Sequence, residues 1–209
     1  MEKLYEQVDK CRFCKTEGNK LQHIHGFGVM NPKLMLILVN PTHRNISSSP
    51  EHRGARFPFI GVRQFWKVLA DGGLIDRKIT ENLPIRMEWT SEYTEKIQNE
   101  LLRNRLFLTN VVKCCYNHSS YPDKRVIESQ LNLLVQEIKL VNPQEIMAFG
   151  GLVYKVLTGR NIKLGEYWNG AQKKETEIIS GLKISVIPCY FPIGRGNPKK
   201  AVEILRRLT

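Results

Sequence analysis

Residues 34–39 read LMLILV, an unbroken apolar run that ends at Asn40-Pro41. A run of this length, closed by a turn-forming pair, is typical of a β-strand that is buried on both faces. Such strands occur in parallel sheets that carry helices on each side. The stretch therefore predicts an α/β fold, and the rest of the chain can be interpreted outward from it.

The segments around this strand alternate between strand and helix patterns. The predicted strands after it are 106–112, 145–149 and 182–188, with 178–179 as a hairpin partner or edge strand, and the predicted helices are 65–74, 124–141, a segment from Gly150-Gly151 to Leu157, and 199–208. Residues 42–56 have the composition of a mobile segment, and residues 76–104 that of a helical excursion. The alternation predicts one domain over residues 1–209, a three-layer α/β/α sandwich with a central, mostly parallel sheet of four to five strands.

Composition limits the class of protein. The chain has 209 residues, of which 42% are hydrophobic, and its 32 Lys and Arg against 20 Asp and Glu give a formal charge of +12. A charge of this size favours a polyanionic partner. Since no apolar run approaches the ~18–20 residues that span a bilayer, and residues 1–14 lack a signal-peptide pattern, we expect a soluble cytoplasmic protein with no membrane partner.

Polar side chains follow three of the predicted strands. They are Asn40 after the first, Asn110 at the second, and a Pro- and Gly-rich loop over residues 190–198 after the last. In open α/β sheets, ligands bind at the carboxyl ends of the strands. An amide offers one acceptor and two donors, so it can orient a water or read a planar hydrogen-bonding edge. Alone, each Asn is a common turn residue or cap; together they predict a site.

These segments resemble the uracil-DNA glycosylase superfamily. The resemblance lies in PKLMLILVNPT, RFPFIGVRQFWKVLADGGLIDR, LFLTNVVKC, EIMAFGGLVYKVL and the loop ending in GNP, which cover nearly the whole chain in the family's order. Asn40-Pro41 is similar to the first catalytic motif of the mismatch-specific and single-strand-selective branches, and QFWKVLADGGL is similar to the mismatch-specific branch. CRFC, PFIG and LTNVVKC are similar to the thermostable iron-sulfur branch. The chain therefore combines features of several branches.

The resemblance implies a DNA glycosylase acting on uracil, or a related deaminated base, that is flipped out of DNA. Asn40 would hold the water that attacks C1′, and Asn110 would pair with the edge of the base. Phe59 would stack on the base, with Phe57 as the alternative. No lysine is placed as a Schiff-base nucleophile, and Lys113 is interpreted as a phosphate or structural contact, so a monofunctional hydrolase is expected.

The last loop is expected to bind DNA. Ile193 and Arg195 are the candidates for a wedge inserted into the duplex. Gly194 and Gly196 would let the backbone approach phosphates, and Asn197 completes this DNA-binding loop.

One position departs from the family. Most branches open this loop with His-Pro, the His donating to the base as negative charge develops, whereas this chain has Phe191-Pro192 at the catalytic position. Phenylalanine cannot donate that bond, and loss of one such donor costs about a hundredfold or more in rate. Activity on uracil would then be weak, directed at another base, or compensated by His43 or His52. The mismatch-specific branch also lacks this His.

The cysteines suggest a structural metal centre. The resemblance to the iron-sulfur branch implies a third ligand at Cys114 and a fourth ligand roughly sixteen residues later, where this chain has Gln130 and Leu131. The expected ligands are Cys11, Cys14, Cys114 and Cys115, with His118 as an alternative to Cys115. A four-iron (4Fe-4S) cluster is favoured over zinc, and a site without metal stays open.

The sequence is compatible with three functions. The first is base excision from DNA containing a deaminated base, by a monomer that is associated with the nucleoid if the source is prokaryotic. The second is a catalytically weakened family member that binds nucleic acid without excision. The third is a basic α/β protein that binds a nucleotide or phosphate at Gly150-Gly151, although no complete phosphate-loop fingerprint is present.

Overall fold

The structure is a computed structural model that describes residues 1–12, 20–116, 121–169, 176–179 and 181–208. Within these ranges the helices are α1 (Glu2–Lys10), α2 (Arg63–Asp71), α3 (Arg77–Glu81), α4 (Ser91–Arg103), α5 (Lys124–Val141), α6 (Gly151–Thr158), α7 (Leu164–Asn169) and α8 (Pro198–Arg206). The strands are β1 (Phe27–Gly28), β2 (Leu34–Leu38), β3 (Leu106–Asn110), β4 (Glu145–Phe149), β5 (Thr176–Ile179) and β6 (Leu182–Cys189). Short 3-10 helices cover Ile46–Ser48 and Arg86–Glu88.

The strands form one sheet in the order β1-β3-β2-β4-β6-β5. The four central strands β3, β2, β4 and β6 are parallel, and β1 and β5 are antiparallel edges. The predicted α/β sandwich with a mostly parallel sheet is confirmed. The sheet has six strands rather than four or five, because β1 contains only two residues, Phe27 and Gly28, too few to produce a periodic pattern.

The side chains of β2 show why its sequence is apolar throughout. Leu34, Leu36 and Leu38 enter the core on the side of α2, α4 and α8, whereas Met35 and Ile37 enter the core on the side of α5 and α6. Since successive side chains of a strand point to opposite faces, a strand between two helical layers needs apolar residues at every position. All five residues of β2 are buried.

Residues 42–62, which follow β2, are held by a network around Asn45. The buried Asn45 amide donates to the carbonyl oxygen of Phe57 at 2.9 Å, and its oxygen accepts from the main-chain N of Ser47 at 3.3 Å. The main-chain N of Ile46 also donates to the carbonyl oxygen of Ile60 at 3.0 Å. The segment whose composition suggested mobility is thus closed into a hydrogen-bonded loop beside the carboxyl end of β2.

No helix in the described ranges combines the length and the apolar composition needed to cross a membrane.

Candidate active site

The ends of β2 and β3 bring the two asparagines of the predicted site to one edge of the sheet. Leu38 is opposite Asn110 in the parallel register. Hydrogen bonds continue beyond the strands, from Val111 N to the Leu38 oxygen at 2.7 Å and from Val112 N to the Val39 oxygen at 2.9 Å. The chain order reverses next to β2, because β3 lies on one side of it and β4 on the other. In this fold class, that is where ligands bind.

Asn110 is the most unusual polar residue at this edge. It is only 1% exposed, and neither the oxygen nor the nitrogen of its side-chain amide has a hydrogen-bond partner among the described residues. An unpartnered buried polar group costs about 1–3 kcal/mol, and native proteins contain few of them. A side chain kept at this cost is well suited to a ligand that supplies both a donor and an acceptor.

Lys113 supports Asn110 from within the core. Its amine donates to the main-chain oxygen of Asn110 at 2.9 Å and to the Glu137 carboxylate at 2.5 Å, and it also contacts the Thr109 hydroxyl. Lys113 is 1% exposed and Glu137 is fully buried. Burial lowers the pKa of Lys113, while the Glu137 carboxylate opposes that shift. The amine is therefore a structural contact and is too deeply buried to reach a phosphate.

Asn40 lies two residues beyond β2 and is half-buried. Its side-chain nitrogen donates to the Pro41 carbonyl oxygen at 3.1 Å. The backbone around it is fixed against the segment after β3, because Tyr116 N donates to the Pro41 oxygen at 3.4 Å and His43 N donates to the Tyr116 oxygen at 2.9 Å. With its nitrogen anchored, the amide presents its oxygen as an acceptor that can hold a water.

The two candidate stacking residues have different surroundings. Phe59 is half-buried, has a positive φ of 67°, and stacks on Phe65 with ring centroids 3.9 Å apart and an interplanar angle of 15°. Its carbonyl oxygen accepts from Trp66 Nε1 at 2.9 Å. Phe57 is 1% exposed and packs against Phe27 and Trp66. Phe59 thus has the accessible ring, supported from behind by a second aromatic.

The loop after β6 is a tight turn around the carbonyl oxygen of Phe191. Asn197 N donates to that oxygen at 3.0 Å, and Gly196 N donates to the Ile193 oxygen at 3.0 Å. A Cβ at residue 196 would lie 1.9 Å from the Phe191 oxygen, so this position requires glycine for the turn itself. Gly194, with φ of 58°, is exposed at the tip.

The other loop residues divide into a structural and an exposed group. The Asn197 side chain accepts from Lys200 N at 3.1 Å and caps α8, while Ile193 is half-buried against the core. Arg195 is exposed. Arg195 is therefore the side chain of this loop that is best placed to meet a polyanion.

Positive charge collects on the segments that follow β2 and β6. In the sequence of residues 40–63 and 190–200, the one acidic residue is Glu51. The exposed basic residues there are Arg44, Arg53, Arg63, Arg195, Lys199 and Lys200. This distribution gives the edge that carries Asn40 and Asn110 a strongly basic rim, as a phosphate backbone would need.

Of the two histidines considered as substitutes for the missing loop histidine, His43 is the better candidate. Within the part of the chain that the structure describes, its Nδ1 is buried without a hydrogen-bond partner. Its main chain is fixed by Tyr116 and by Arg86, which donates to the His43 oxygen at 2.7 Å. The ring of His52 is already engaged, with Nε2 3.1 Å from the Ala55 oxygen.

A potential metal site lies beside the segment that follows β3. The ligand atoms of Cys11, His23 and Cys114 all lie within 4.8 Å of one another. The predicted ligand Cys14 and the alternative His118 lie outside the described residues. Cys115 is not part of the group; its thiol is hydrogen-bonded with Ser48, and burial raises its pKa to about 12.

Sequence reasoning missed His23. The available signal was the spacing Cys-x2-Cys-x8-His from Cys11 to His23. This spacing does not stand out, because the resemblance implied a fourth ligand after Cys114. Two sulfurs and an imidazole at this separation fit a structural metal centre.

Comparison with known proteins agrees with this geometry. A type-4 uracil-DNA glycosylase from Pyrobaculum aerophilum is 25% identical over 92% of this chain and 82% of its own length. Type-4 uracil-DNA glycosylases from Sulfurisphaera tokodaii and Saccharolobus solfataricus are 25% and 26% identical over 92% and 90% of this chain, and 74% and 73% of their own lengths. The family model described as "Uracil DNA glycosylase superfamily" matches residues 25–208, and the chain belongs to that superfamily.

Proposed function

We propose that this protein is a monofunctional DNA glycosylase that hydrolyses the N-glycosidic bond of uracil, or a related deaminated base, flipped out of DNA, leaving an abasic site. The observation that carries this proposal is the buried amide of Asn110 at the carboxyl edge of the sheet, which has no hydrogen-bond partner in the described ranges. A flipped pyrimidine presents an acceptor and a donor on one edge, which would satisfy both atoms of that amide. The three relatives named as type-4 uracil-DNA glycosylases support this substrate.

The reaction in this proposal depends on positioning. Asn40 holds a water with its amide oxygen, while the half-buried ring of Phe59 holds the base by stacking. An amide is a poor general base, so the rate must come from orientation of the water and from stabilisation of the departing base. Phe191 supplies shape but no hydrogen bond, and we therefore expect a slow enzyme whose rate depends strongly on the leaving base.

A monofunctional mechanism fits the surroundings of Lys113. A lyase that forms a Schiff base needs an accessible amine. The Lys113 amine is buried and bonded to Glu137 and to the Asn110 main chain. It cannot reach C1′ of a bound nucleotide without breaking that buried ion pair.

The DNA contact in this proposal is electrostatic, with the basic rim holding phosphates on either side of the flipped nucleotide. Arg195 and Ile193 approach the space that the base vacates. We propose that the protein acts as a monomer in the cytoplasm, at the nucleoid if the source is prokaryotic.

We also propose a structural metal centre, with a 4Fe-4S cluster as the first choice and zinc as the second. The Cys11 and Cys114 sulfurs and the CRFC and LTNVVKC motifs support it, and the relatives bear the type-4 name of the branch that these motifs resemble. Such a centre would tie the N-terminal segment to the segment after β3. It would supply rigidity, while the reacting atoms stay with the strand ends.

The test is incubation of purified protein with labelled oligonucleotides that contain uracil, hypoxanthine, xanthine or a mismatched thymine, followed by alkaline cleavage of abasic sites. An otherwise identical oligonucleotide with cytosine is the control. A product specific to one damaged base supports the proposal. No product on any substrate at enzyme excess overturns it and, if the same oligonucleotides are still bound, favours the second candidate, a binding protein weakened by Phe191.

A further inference from the structure

We propose that His23 is the fourth ligand of the metal centre, so that the protein holds its metal with three cysteines and one histidine in place of four cysteines. The proposal rests on the metal centre proposed above and concerns a residue that the family motifs do not include. The described residues at this site are Cys11, His23 and Cys114. Cys14, the remaining ligand that the sequence predicts, lies outside the described residues.

The first argument is the position of the His23 ring. His23 is 5% exposed and Cys114 is 3% exposed, and their ligand atoms lie within 4.8 Å of each other and of the Cys11 sulfur. Ligand-type atoms from three separated segments of the chain, two of them on buried residues, therefore converge on one point. Histidine and cysteine are the usual ligands of structural metal sites, and three cysteines with one histidine form a common set.

The second argument is the backbone that fixes this position. Ile24 N donates to the Lys113 carbonyl oxygen at 2.9 Å, which places His23 directly beside Cys114. On its other side, Gln22 N donates to the Ser48 oxygen at 2.8 Å, and the Gln22 side chain donates to the Ser49 oxygen at 2.5 Å. The histidine is therefore held by main-chain contacts on both sides, as a pre-organised ligand should be.

The third argument explains why the usual fourth cysteine is dispensable. Gln130, on α5, is 1% exposed; its Nε2 lies 3.1 Å from the Cys11 sulfur, and its Oε1 accepts from Lys113 N at 3.4 Å. An amide N–H that points at a ligand sulfur stabilises the thiolate, as outer-shell hydrogen bonds do around metals. Gln130 thus occupies the α5 side of the site as a supporting donor, and the ligand role passes to the segment that carries His23.

The consequence for a cluster is measurable. Replacement of cysteine by histidine on an iron of an iron-sulfur centre removes a negative charge and raises the reduction potential. If the centre is an iron-sulfur cluster, its reduction potential should therefore be higher in the wild-type protein than in the His23→Cys variant.

The experiment uses the full chain, purified without oxygen and analysed for iron and zinc by mass spectrometry. His23→Ala should lose most of the bound metal, whereas His23→Cys should retain it. His25→Gln is the matched control, because His25 lies in the same segment and bonds Asp9 at 3.0 Å; it should retain the metal. If His23→Ala binds as much metal as the wild type, the proposal is overturned.

A second measurement covers the case in which His23→Ala does not fold. For an iron centre, the protein is labelled with 15N-histidine, reduced and studied by pulsed electron paramagnetic resonance. A 15N coupling that is present in the wild type and disappears in His23→Cys supports ligation by His23. No 15N coupling in the wild type overturns the proposal. For a zinc centre, X-ray absorption should show one nitrogen and three sulfur neighbours, and four sulfurs overturn the proposal. Uracil excision, measured in parallel, separates failure of the ligand assignment from failure of the glycosylase proposal.

Discussion

The amine of Lys113 lies 2.9 Å from the main-chain oxygen of Asn110, and it reaches that position from inside the core through its ion pair with Glu137. The backbone of Asn110, the residue proposed to recognise the base, is thus held in place by the buried ion pair of Lys113 and Glu137. Removing one member of such a pair leaves an uncompensated charge in a low-dielectric interior, which is more damaging than removing both.

We predict that Lys113→Met lowers the free energy of unfolding by about 3–5 kcal/mol, the cost typical of breaking a buried pair. The double variant Lys113→Met/Glu137→Gln should recover part of that loss, because the neutral amide introduced at position 137 could still accept from the Thr109 hydroxyl. Urea denaturation followed by circular dichroism measures both. Equal stability of the single and double variants would contradict the ion-pair interpretation.

Asn110→Ala is expected to reduce uracil excision by about a hundredfold or more, the loss typical for a preorganised hydrogen-bonding group. Its stability should stay within about 1 kcal/mol of the wild type, because removing an unpartnered buried amide offsets the lost packing. Single-turnover excision and urea denaturation give the two numbers. Asn99→Ala, at an exposed position of α4, is the control and should change neither.

Asn40 can be tested by exchanging the amide for a carboxylate. Asn40→Ala should slow excision by about a hundredfold because the water loses its holder. Asn40→Asp should excise faster than Asn40→Ala, since a carboxylate can both hold the water and take its proton. The three proteins are compared by their single-turnover rates on an oligonucleotide that contains uracil. An Asn40→Ala variant as fast as the wild type would show that another residue holds the water.

The strands, the main helices and the asparagine pair could be predicted because each leaves a local pattern. Residues 34–38 are apolar at every position, and α5 occupies the predicted span, residues 124–141, where it begins after the capping Asp123 and ends at Asn142 in the left-handed region. The carboxyl-edge rule then placed Asn40 and Asn110 together. These features depend on residues that are close in sequence.

What could not be predicted depends on contacts between distant residues. Asn45 bonds across to Phe57, and His23 reaches Cys114 through main-chain bonds to Lys113. Gly196 also has a role that the sequence did not indicate: the turn itself requires glycine, because a Cβ at this position would lie 1.9 Å from the Phe191 oxygen. No periodicity in the sequence reports such pairings.

Phe191→His should restore the donor that most family members carry in this loop. We expect uracil excision to rise, by up to about a hundredfold, because a donor near the departing base stabilises its developing charge. Phe191→Leu, which keeps an apolar side chain, is the matched control and should not accelerate the reaction. Equal rates for the two variants would indicate that the donor is already present, and His43→Ala would then be the variant that loses activity.

Arg195 should contribute to DNA binding without choosing the base. It is exposed on the loop after β6, in a rim that is rich in Arg and Lys. Each phosphate contact adds about 0.9 to the slope of log affinity against log salt, so Arg195→Ala should lower that slope by about 1 and weaken binding of damaged and undamaged duplexes alike. Fluorescence anisotropy between low and moderate salt measures the slope, with Lys139→Ala, an exposed residue in the last turn of α5, as the control. An Arg195→Ala variant that no longer prefers uracil-containing DNA but keeps the wild-type salt dependence of binding would assign Arg195 to base recognition. Only a contact to the base distinguishes uracil from an undamaged base.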